Sequence, residues 1–266
     1  MLVGVPESVS RASVVVPLQQ AARSRGTVLC FHALSGSVAP YGRLADYLAA
    51  HFDVYGVQSA GLEQDGPDRS IALMADRYAA DIAHQSSGAP TILLGYCLGG
   101  VLAVATAERL QGLPVPISAV VTVDSSPVYT PESNGNQWRV LIEQTLFLDL
   151  DWRQLAARPR AEALEQVKTE AVRRRVLPPR FPIERLERML DVSAANDAAS
   201  GSYVPGIHRG ALHVIRAAAD LYPGADPWQP FADDVVLHPI DAPGSLLADP
   251  AVVAVAGVVG DLAGAR

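Results

Sequence analysis

Apolar and polar positions along the first half of the chain follow two alternating patterns. Short, nearly unbroken apolar runs at 27–32, 54–58, 91–96 and 118–123 read as strands buried on both faces. The amphipathic stretches between them, 41–51, 70–86 and 98–110, read as helices. Such alternation predicts a parallel sheet with helices on both faces. Functional groups then belong at the carboxyl ends of the strands, where the loops gather.

From about 130 to 204 the strand pattern stops and the sequence turns helical and charged; strands resume at 211–217 and 235–240, before a closing helix from Asp249. The expectation is one α/β domain, with its core at about 24–129 and 205–266 and a helical lid inserted at about 130–204. A length of 266 residues and 49% hydrophobic content suit one domain of this size. The net charge of -7 argues against nucleic acid as a partner. The run Arg173-Arg174-Arg175 reads as a solvated face, with a docking patch for an acidic partner as the sharper option. The first 26 residues contain no apolar core of signal-peptide length, and 251–259 is about half of a bilayer span. A cytoplasmic protein with no membrane contact is expected. Two cysteines make no disulfide framework, and no metal or bound cofactor is expected.

The chemistry concentrates in Thr91-Ile92-Leu93-Leu94-Gly95-Tyr96-Cys97-Leu98-Gly99-Gly100. This is the G-x-S-x-G nucleophile elbow with sulfur for oxygen: an apolar strand, a tight turn and a helix of small residues. A free cysteine often only fills a core, which suits Cys30 inside its apolar run. For Cys97 the flanking glycines favour a nucleophile that forms a thioester. Asp124 ends the strand Val121-Thr122-Val123. It reads either as the acid that orients a catalytic base or as a turn-starting aspartate.

These features together resemble the thioesterase domains of nonribosomal peptide and polyketide assembly lines, which have the α/β-hydrolase fold. The resemblance is carried by Val15-Val16-Pro17-Leu18-Gln19, Phe31-His32-Ala33-Leu34-Ser35-Gly36, Tyr41 with Leu44-Ala45, and Tyr55 to Leu62. It continues through the elbow, Val121 to Pro127, Leu148 to Leu155, Val176-Leu177-Pro178-Pro179, Tyr203-Val204-Pro205 and Gly210-Ala211-Leu212. It implies Cys97 as nucleophile, Asp124 as orienting acid, and the backbone amides of Leu98 and Leu34 as the oxyanion hole. It also implies an acyl or peptidyl substrate delivered on the phosphopantetheine of a carrier protein.

One element of that pattern is missing. The family places its histidine shortly before the last helix, where this chain reads Asp241-Ala242-Pro243-Gly244-Ser245-Leu246-Leu247. A gapped alignment deletes the histidine and an ungapped one puts Gly244 there, so the base is unknown. His32, beside the oxyanion loop, His208, where the lid returns to the core, and His238, at the end of a strand, are the candidates. His51 and His84 read as solvated, His213 as a satisfied sheet histidine. A thiol is partly ionised near neutrality, and a helix N-terminus is expected to lower its pKa further. Acylation of Cys97 is then expected without a dedicated base, while attack by water is slowed. Release by cyclisation or acyl transfer is the leading expectation; an acyl shuttle between carrier proteins and a non-catalytic carrier-docking domain are the alternatives. Trp138, Trp152 and Trp228 are candidates to line the acyl pocket.

Overall fold

The computed structural model describes residues 13–63, 66–129, 136–241 and 244–264. The apolar runs form β1 (Val15–Gln19), β2 (Thr27–Phe31), β3 (Asp53–Val57), β4 (Thr91–Tyr96), β5 (Ile117–Val123), β6 (His208–Ala217) and β7 (Ala232–Ile240). They make one sheet in the order β1-β3-β2-β4-β5-β6-β7. Every pair is parallel except β1 with β3, which is antiparallel. β1 lies before the core boundary expected near residue 24. Its Pro17 has no N–H for a second ladder, which an edge strand tolerates.

Helices α1 (Gly42–Leu48), α2 (Ile71–Gln85) and α3 (Leu98–Leu110) follow β2, β3 and β4. Side chains alternate across the sheet, as the strand period requires. Leu29, Phe31 and Leu93 join Met74, Tyr78 and Leu102 of α2 and α3. Val28, Cys30, Ile92 and Leu94 pack on the opposite face with Leu44 and Leu48 of α1. Val255 and Val259 of the closing helix complete that second layer. Cys30 is sealed within it, and burial pushes its thiol pKa far up, so it stays protonated and structural.

Strand β6 begins three residues earlier than its apolar run suggests. Gly210 has φ +99°, and the β6/β7 register shifts between His208 and Ala211, which breaks the alternation a sequence reading depends on.

The inserted segment is helical, as its pattern predicts: α4 (Gln137–Arg139) runs into a π-helical turn (Val140–Thr145), followed by α5 (Trp152–Ala156), α6 (Arg160–Arg173) and α7 (Ile183–Gly201). Trp138, Leu141, Leu164 and Leu190 give the lid its own core, joined to the body through Leu62. The tryptophans are not among the residues that line the cavities at Cys97. Trp138 and Trp152 pack inside the lid, and Trp228 is fully buried in the main core. Arg173 and Arg174 share one partner, Glu170, so the run is a solvated face only partly neutralised by its own helix. The chain closes with α8 (Ala251–Gly264). Among the described residues no helix is long and apolar enough to cross a membrane.

Candidate active site

Cys97 stands alone between β4 and α3, at φ 54° and ψ -123°. A non-glycine residue there costs on the order of 1–3 kcal/mol and persists only where its surroundings dictate it. Here the surroundings are backbone pressed on backbone. A Cβ on Gly95 would sit 1.9 Å from the Gly99 carbonyl oxygen, and one on Gly99 would sit 2.3 Å from that of Phe31. The Cys97 N–H is anchored on the Val123 carbonyl at 3.0 Å. Buried Tyr41 ties adjacent strand ends together: its hydroxyl donates to Phe31 O (2.6 Å) and accepts from Tyr96 N (2.7 Å).

The loop after β2 is held just as firmly. The Ala33 carbonyl accepts from Gly36 N at 3.0 Å and from His32 Nδ1 at 2.7 Å. A trans peptide points its N–H away from its C=O, so fixing the Ala33 carbonyl fixes the opposite heading of the Leu34 N–H. Asn196, midway along lid helix α7, donates from Nδ2 to the Leu34 carbonyl at 2.9 Å. Leu34 borders the cavity at Cys97, and the Leu98 N–H hydrogen-bonds the Cys97 sulfur. Leu34 and Leu98 thus both border the cavity at the thiol, and the Leu98 amide contacts the sulfur.

Asp124 ends β5 at φ 42°, with its N–H on Ile215 O (3.0 Å) and its Oδ1 accepting from Ala217 N (3.3 Å). The next carbonyl, of Ser125, accepts from Arg216 Nη2 and Trp228 Nε1, both at 2.9 Å. Arg216 is itself paired with buried Asp226, whose Oδ1 caps Trp228 N at 2.9 Å. This braced strand end brings Asp124 and Cys97 to one cavity of about 170 Å³. Burial raises the Asp124 pKa; the Ala217 N–H and the Arg216 charge act against that rise.

None of the three candidate bases faces Cys97. His32 is fully buried and engaged at both nitrogens, with Nδ1 on Ala33 O and Nε2 on the Tyr78 hydroxyl at 2.6 Å, and burial lowers its pKa to about 4. It is a brace for the loop after β2. His208 opens β6 at the amino edge of the sheet, roughly 30 Å along the strand from Ala217. His238 lies on β7, three strands from β4 or roughly 14 Å across the sheet, with its Nε2 3.0 Å from His213 Nδ1. His213 is thereby satisfied, as expected. His51 and His84 are exposed. Gly244, which an ungapped alignment sets at the family histidine position, has φ +82°, a conformation that strains any side chain. Residues 242–243 lie outside the described residues. Ser245, just after Gly244, hydrogen-bonds the Tyr96 hydroxyl and so ties this loop to the elbow.

The expected self-activation of the thiol is overturned. Burial raises the Cys97 pKa; the Leu98 N–H pulls it down but does not offset that, and the Asp124 charge adds to the rise. The sequence shows the helix N-terminus but not the depth of burial that outweighs it.

A second cavity, of about 630 Å³, meets the first at Cys97. Leu34, Cys97 and Tyr129 border both, while Tyr96, Phe147 and Leu247 give the larger one an apolar wall. The sequence reading missed Asn196, Tyr78, Arg216 and Asp226. Only Asn196 left a trace, as a polar residue between Val192 and Ala199 on the buried side of a lid helix. Among the described residues no group of three or more His, Cys, Asp and Glu is arranged to hold a metal ion.

Residues 26–179 match the family model described as "Thioesterase domain". The chain is 30% identical over 137 residues to enterobactin synthase component F of Escherichia coli (strain K12), covering 48% of this chain and 10% of that protein. It is 25% identical to atromentin synthetase invA1 of Paxillus involutus over 86% of this chain and 26% of that one. The chain thus spans about a tenth to a quarter of these relatives. Among solved structures, the four-domain nonribosomal peptide synthetase AB3403 superposes with a TM-score of 0.80 (22% identity, 95% of this chain, 20% of that one). The Vlm2 thioesterase domain does so at 0.67 (20% identity, 93% and 96%). These structural likenesses support the α/β-hydrolase fold, and with more than half of its length matched by the family model, the chain belongs to the thioesterase domain family.

Proposed function

We propose that this domain takes an acyl or peptidyl chain from a carrier-protein phosphopantetheine thioester onto Cys97 and releases it by cyclisation or transfer to an acceptor, with hydrolysis disfavoured. One observation carries the reading. A thiol on a strained elbow shares its cavity with Asp124, while all six histidines point elsewhere or are engaged.

Loading is a thioester exchange: the bond from carbonyl carbon to Cys97 sulfur forms, the bond to the carrier thiol breaks, and the Cys97 proton ends on the departing thiolate. No net proton is consumed, and the oxyanion passes between the Leu34 and Leu98 amides. Water differs, because it must lose a proton as it attacks, and no imidazole is placed to receive it. The 630 Å³ cavity suits the acyl chain.

Intact-mass measurement after mixing the protein with an acyl-loaded carrier protein tests this. Wild type gains the acyl mass, Cys97→Ala does not, and the adduct survives in buffer until an acceptor is added. Rapid release of free acid overturns the transfer reading. An adduct that moves only to a second holo carrier protein makes the domain a shuttle. A wild type that never gains mass makes it a docking domain.

A further inference from the structure

The proposed acyl site in the larger cavity leaves a use for the 170 Å³ cavity between Asp124 and Cys97 open. Three features of it converge on one ligand chemistry. Among the described residues the Asp124 carboxylate carries one hydrogen bond, from Ala217 N, and no cationic side chain lies at ion-pair distance from it. Arg216, the cation whose charge it feels, is already committed to Asp226 and to the Ser125 carbonyl. Ser126 and Ser200 border the same space; the Ser126 hydroxyl lies 3.2 Å from that of Tyr222 and the Ser200 hydroxyl donates to Asp197 O, which leaves oxygen lone pairs as acceptors, while Leu34 and Val101 supply apolar wall. An ammonium group has three donors and no acceptor, and it matches one carboxylate flanked by hydroxyl oxygens. The volume is roughly that of five or six water molecules, room for an aminoalkyl terminus.

The geometry points to this cavity as the binding site for a primary aliphatic amine, held as its ammonium ion by Asp124 and delivered to acyl-Cys97. The inference rests on the acyl-transfer reading above and adds the class of acceptor. Asp124 takes one proton from the ammonium. The free amine attacks the thioester carbonyl, so the C–N bond forms, the C–S bond breaks, and the leaving Cys97 thiolate takes the second nitrogen proton. The products are an amide and the thiol, and Asp124 returns its proton to solvent. A partly buried carboxyl whose proton affinity is raised is suited to that first step. In this arrangement a carboxylate beside a thioester does the work that an imidazole would do for water.

The test starts from acyl-Cys97 prepared with the wild-type protein and with Asp124→Asn, each chased at about pH 8 with an alkylamine or with hydroxylamine. The alkylamine is cationic there, whereas hydroxylamine is uncharged. Substitution of Asp124 is expected to lower kcat/KM for the alkylamine at least tenfold more than for hydroxylamine, a ratio that cancels any change in loading. Equal losses overturn the ammonium site. Discharge of the wild-type adduct to thiols but not to amines also overturns it and leaves acyl transfer standing, whereas failure to form acyl-Cys97 sinks both. If Asp124→Asn does not fold, the wild type still decides. Alkylammonium should protect Cys97 from iodoacetamide at tenfold lower concentration than the isosteric alcohol, and equal protection overturns the inference.

Discussion

Asn196 of lid helix α7 donates its amide to the backbone carbonyl of Leu34 at 2.9 Å, and both residues are buried. One hydrogen bond thus couples α7 to the loop after β2, which borders the cavity at the thiol. Four residues earlier on the helix, Val192 closes on the same loop: a Cβ on Gly36 would lie 2.5 Å from it. The position of α7 and the conformation of the loop after β2 are therefore set together.

Asn196→Ala is expected to slow acylation of Cys97 by about tenfold, less than the hundredfold or more that follows loss of an oxyanion donor itself. The loss should fall on kcat, with KM for the acyl donor changed little, because Asn196 does not border either cavity. Stopped-flow acylation with an activated thioester separates the two, and a loss confined to KM would assign Asn196 to substrate binding.

The thiol should titrate above its ordinary value. Because burial raises the Cys97 pKa, the thiolate fraction at neutrality is lower than for a free cysteine, and alkylation by iodoacetamide should accelerate with pH to a midpoint above that of a model thiol. The Asp124 charge contributes to the rise, so Asp124→Asn should move the midpoint down. A midpoint that rises or stays fixed in the variant contradicts the electrostatic coupling of the pair.

His32 makes stability acid-sensitive. Its folded pKa is lowered from 6.5 to about 4 by burial, so the unfolded chain binds a proton first as pH falls. The associated stability is present above pH 6.5 and lost between there and about 4, on the order of 3 kcal/mol in all. Urea denaturation across that range, with His32→Gln as the comparison, should show a shallower pH slope in the variant. Tyr78, whose hydroxyl meets His32 Nε2, keeps its proton throughout, since burial raises its pKa.

Much of this was legible from residue order. The apolar runs 27–32 and 91–96 gave strands within a residue of β2 and β4, because strands buried on both faces leave little polar ambiguity. Glycines at 95, 99 and 100 marked the elbow because contacts below 2.5 Å exclude any side chain there. β1 was hidden, since an edge strand has one pairing partner and a weak burial pattern. The histidines could not be sorted by sequence distance. His238 is nearest along the chain to the altered loop, yet its ring turns to His213.

The sequence by itself determined the strands of the sheet, the helical insertion between β5 and β6 and the positions of Cys97 and Asp124, because periodicity and glycine spacing are local properties. Only the tertiary structure decided that burial raises the pKa of the thiol, that His32 is a brace, and that Asp124 and Cys97 border one cavity. Burial and the partners of a buried group depend on segments far apart in the chain: Asn196 reaches Leu34 across 162 positions, and Ala217 reaches Asp124 across 93.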